Sequence, residues 1–109
     1  ISGEPKRIHE MYGTSPGKTS FANNCLLARR LVEVGVPWVT VVMENPYVSG
    51  ISMPDWGVYN WDSHAVNCHL FKDAEVRFPI YDQVITALIE DGTIAGILEK
   101  FNFPATARP

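Results

Sequence analysis

Eight consecutive residues, Val36-Pro37-Trp38-Val39-Thr40-Val41-Val42-Met43, form the most restrictive element of the sequence. The run is apolar and β-branched and does not alternate with polar side chains. That pattern predicts a strand covered on both faces, as in a parallel sheet flanked by helices. Pro37 is compatible with the strand start, before a ladder begins. A central strand needs hydrogen-bonded neighbours on both sides, because buried amides and carbonyls are costly when unpaired. Val58–Trp61 can supply one short edge, and no other segment supplies a second partner. The expected architecture is therefore α/β, with helix, strand, long loop and helix in order. It reads as a segment of a larger domain with one central strand between helices.

The flanking helices are legible from their spacing. Phe21, Cys25, Ala28 and Val32 fall at i, i+4, i+7 and i+11, and Leu27, Leu31 and Val34 widen the stripe, so residues 20–34 are expected to be helical. Thr19 or Ser20 is the natural N-cap, and Gly35 the left-handed stop. Arg29 and Glu33 make an i,i+4 pair. A short helical turn is expected around Lys6–Met11 within an otherwise loop-like entry segment. Part of His64–Phe78 reads as helix, and Pro79 then suits the first turn of a second one. The apolar face of that second helix is Ile80, Val84 and Leu88, with Tyr81, Ile85 and Ile89 beside them. Asp91-Gly92 ends it, and Thr93–Phe101 can form one more short helix.

Composition removes several function classes. Among 109 residues there are 9 basic and 12 acidic side chains, a net charge of -3, which argues against general binding of nucleic acid. No apolar run approaches the roughly 18 residues of a membrane span. Hydrophobic residues at 46% against charged residues at 19% give a globular balance. Cys25 and Cys68 read as two ordinary thiols, and without a Cys-x-x-Cys pair there is no zinc ribbon or thioredoxin-type site. Gly17-Lys18-Thr19 matches the end of a phosphate-binding loop, but Gly13 stands at the wrong spacing to complete it.

The residues able to carry chemistry cluster after the apolar run. Residues 44–61 form a long loop with Tyr47, Met53, Trp56, Tyr59 and Trp61, and a loop of that length serves as a site wall or as a small satellite core. Asp62 and His64 follow in Asn60-Trp61-Asp62-Ser63-His64. A carboxylate and an imidazole two positions apart can converge on a divalent ion such as zinc. On pattern alone the same residues more often make a turn in which Asp62 caps a helix and His64 faces solvent. His69 and Asp73, at i,i+4, are a second ligand pair or a surface pair. Arg29-Arg30 can meet a phosphate or sulfate, or simply cover the helix with their stems. Ser63 has no base at catalytic spacing.

Three ordered motifs then become recognisable: Phe21 with Cys25–Val41, Trp61-Asp62-Ser63-His64-Ala65-Val66-Asn67, and Phe78–Val84 with Ala87–Asp91, preceded by Tyr12-Gly13. Over residues 8–91 they resemble the "domain of unknown function 1501" family, whose members resemble alkaline phosphatases and sulfatases. The family is common in planctomycete-type bacteria and often carries a twin-arginine export signal, which implies a periplasmic or exported protein. The resemblance implies a three-layer sandwich with a mostly parallel sheet, and Asp62 and His64 as metal ligands, with Asp82 opening the following helix. The metal, zinc or a similar ion, would lower the pKa of a water or alkoxide and neutralise phosphate or sulfate ester oxygens. The wider superfamily has three residues between that Asp and His, whereas one is normal within this family. Gly92–Pro109 departs from the family, which continues into another strand and a Glu-Phe-Gly-Arg-Thr-Pro motif, so residues 1–109 are expected to be one partial domain with a divergent tail at 92–109. The expected function is that of part of a phosphatase- or sulfatase-like hydrolase; the alternative is a non-catalytic binding or structural module.

Overall fold

The structure is a computed structural model and describes residues 1–43 and 70–101. Four helices occupy most of them: α1 (Lys6–Tyr12), α2 (Phe21–Glu33), α3 (Leu70–Glu90) and α4 (Thr93–Lys100). Each boundary has a local cause. Ser20 is extended, and its hydroxyl accepts the Asn23 amide at 2.9 Å, which satisfies one of the first-turn donors of α2. At the other end Gly35, at φ 98°, lets the chain reverse: its amide bonds to the Val32 carbonyl and the Val36 amide to that of Leu31. This paired closure accounts for two of the carbonyls that a helix end leaves over.

The core lies where α1 and α2 meet α3. Tyr12, Phe21, Ala22, Cys25, Leu26, Tyr81, Val84 and Ala87 are buried there, with Ile8, Met11, Val41, Ile80 and Leu88 packed around them. The Phe21 and Tyr81 rings meet edge to face at 5.0 Å, a geometry that adds about 1 kcal/mol to the area they bury. In α2 the buried face differs from the periodic stripe: Leu26 is fully enclosed, whereas Leu27 and Val34 are exposed. In α3, Ile85 and Ile89 face outward, and the inward row runs Asp73, Arg77, Tyr81, Val84, Ala87.

The expected α/β sandwich with a central strand is overturned. Among the described residues there is no strand, and residues 36–43 follow α2 as irregular chain. Trp38 is 83% exposed and Val42 66%, while Val41 alone of the run packs against the core. The physical reason is the missing partner. Apolar, β-branched character states that a segment suits a pleated, covered surface, but a strand exists only where a neighbour completes its ladder. No described segment does so here. Trp38 and Val42 are thus exposed rather than covered, whereas Val39 and Val41 are half-buried.

The second helix also begins earlier than its proline suggests. α3 runs unbroken through Pro79. Proline at that position forgoes one ladder bond to the carbonyl of Glu75. The helix tolerates this because Arg77 and Tyr81, on either side of the proline, anchor its inner face in the core. No helix among the described residues is long and apolar enough to cross a membrane.

Candidate functional site

Asp62 and His64, the metal ligands that the motif implies, lie outside the described residues, as do His69, Cys68, Ser63 and the aromatic loop. What the structure does describe is the chain on both sides of them. Met43 marks the approach, and its carbonyl accepts a hydrogen bond from the Tyr81 hydroxyl. On the far side α3 begins at Leu70, and within its first turns Asp73 meets Arg77. The Arg77 Nε donates to Asp73 Oδ2 at 2.6 Å and Nη2 to Oδ1 at 3.3 Å. Arg77 is fully buried. Burial alone would lower its pKa, but the bonds to Asp73 and Tyr81 raise it, so it stays a cation. Asp73 was a candidate ligand beside His69; its carboxylate is instead engaged by this guanidinium, the arrangement a buried arginine requires. The spacing 73, 77, 81 on one helical row was visible in the sequence, yet nothing local marks the row as the inner one.

A second polar cluster joins the ends of three helices. The Tyr12 hydroxyl donates to Asp91 Oδ2, and the Arg29 Nη1 reaches the same oxygen at 2.5 Å. The other carboxylate oxygen accepts the Thr93 amide at 3.0 Å and its hydroxyl at 2.6 Å, so Asp91 closes the turn that leads into α4. Burial would raise the Asp91 carboxyl, but the bonds from Thr93 and Tyr12 and the charge of Arg29 hold it below the usual range. Burial, with the Asp91 carboxylate alongside, pushes the Tyr12 hydroxyl up to about 12. Arg29 also donates to Glu33 at 2.9 Å, and Arg30 binds Glu4 and Glu33 at 2.5 Å each. Both arginines are thus held by carboxylates, which assigns them to structure and leaves neither as an open phosphate or sulfate receptor. A cavity of about 200 Å³ between α2 and α4 has Arg29, Glu33, Thr93 and Lys100 in its wall, and the Arg29 charge there is already matched by Asp91 and Glu33.

Two further groups stand apart from these clusters. Burial pushes the Cys25 thiol up to about 11, which makes it an inert core thiol. The His9 Nδ1 pairs with Thr14 Oγ1 at 2.7 Å, and its Nε2 is buried without a hydrogen-bond partner among the described residues. Among the described residues no group of three or more His, Cys, Asp or Glu side chains converges as a metal site.

Across residues 1–100 the chain matches the family described as "Protein of unknown function (DUF1501)", and it belongs to that family. Comparison with the curated proteins and with the solved structures gives no match.

Proposed function

We propose that this chain supplies part of a metal-dependent site for hydrolysis of a phosphate or sulfate ester in an exported protein, with Asp62 and His64 as two ligands of zinc or a similar divalent ion. The observation that carries the reading is the Asp62-Ser63-His64 motif, which stands inside the span matched by the family. A carboxylate oxygen and a neutral imidazole nitrogen are a fitting donor set for such an ion. When bound, the ion supplies positive charge at the ester oxygens.

The described helices support the reading through anchorage. Tyr81 holds the carbonyl of Met43, and Asp73 and Arg77 fasten the start of α3, so both ends of the stretch that bears the motif are tied to one helix. Pre-set ends reduce the freedom that a ligand pair loses on binding a metal. A catalytic zinc usually takes about three protein ligands. Asp73 is engaged by Arg77.

The test is hydrolysis of nitrophenyl phosphate and nitrophenyl sulfate by the complete gene product, with Asp62→Ala and His64→Ala alongside. The reading expects turnover of one ester class by the wild type and background rates in both variants. Variants as active as the wild type would overturn it and leave the alternative, a non-catalytic binding or structural module.

A further inference from the structure

We draw no further inference here: the strongest candidate, the apolar groove that Val32, Val36, Trp38, Val39, Ile97 and Phe101 line between the end of α2 and α4, carries nothing because nothing in the structure shows what covers it.

Discussion

Arg29 and Asp91 are 62 positions apart in the chain and meet at 2.5 Å, with the guanidinium 13% exposed and the carboxylate 7%. The contact ties the middle of α2 to the turn between α3 and α4, and Tyr12 of α1 joins it through Asp91. Removing one partner of a buried pair leaves the other charge stranded, which costs about 3 kcal/mol or more. Arg29→Met is expected to lower stability by about that amount, and Asp91→Asn by less, because Arg29 then keeps its bond to Glu33. The double variant is expected to lose less than the sum of the two, because the second change strands no further charge. Denaturant unfolding of the four proteins gives the comparison, and strict additivity would show that the pair is not coupled.

The same contacts set the response to pH. Asp91 sits below the ordinary carboxylate range, with the Thr93 and Tyr12 bonds and the Arg29 charge outweighing burial. Glu4 is lowered by its bond from Arg30. A carboxylate whose folded pKa is depressed binds fewer protons in the native state, so its contribution is present above the unfolded value near ~4 and is lost as pH falls through the folded value. Tyr12 works at the other limit: raised to about 12, it contributes below the unfolded value of about 10 and its contribution is lost as pH rises through about 12. Melting temperature is therefore expected to fall below about pH 4 and again above about pH 10, with the acid limb shallower in Asp91→Asn.

Asn23 is 5% exposed and closes the loop before α2. Its Oδ1 accepts the Ser15 amide at 3.1 Å, while its Nδ2 donates to the carbonyls of Ser15, at 2.7 Å, and of Lys18. Asn23→Ala leaves these backbone groups without their partner and is expected to cost about 2 kcal/mol. Asn23→Asp keeps the acceptor but loses the amide donors, and is expected to be nearly as unstable. Thermal unfolding measures both; a loss under about 0.5 kcal/mol would mean that water replaces the side chain freely.

These polar contacts show how far the sequence could be read. The α2 boundaries were legible because a cap and a stop are local devices: Ser20 needs only Asn23, and Gly35 only Val32. Burial of Asn23 and Arg77 was not legible, since a polar side chain is buried only when distant or loop partners satisfy it. Pro79 misled for a related reason. Its preference for a first helical turn is a local tendency, overridden where Arg77 and Tyr81 hold both sides of it in the core. The strand expected at 36–43 failed because apolar character reports suitability for a sheet and says nothing of a neighbour. As for the site, the sequence marked Arg29-Arg30 as possible anion receptors, but the opposing carboxylates of Glu4 and Asp91 lie far away in the chain.

Cys25 offers a simple probe of the core. Burial raises its thiol to about 11, so little thiolate is present near pH 8. In a Cys68→Ser background, Cys25 is expected to react with a disulfide reagent at the rate of unfolding, and at once in denaturant. Immediate stoichiometric reaction under native conditions would contradict its place beside Phe21 and Leu26 in the core.

The most direct test of the proposed function is the metal content of the complete gene product. Wild type and the Asp62→Ala/His64→Ala variant are purified after growth with zinc, their metals are counted by mass spectrometry, and circular dichroism checks that both keep their helices. The account predicts a stoichiometric divalent ion in the wild type and its loss from the variant, with the helical spectrum unchanged. Equal metal content in the two proteins, or none in either, would contradict it and return Asp62 and His64 to the role of a turn and a helix cap.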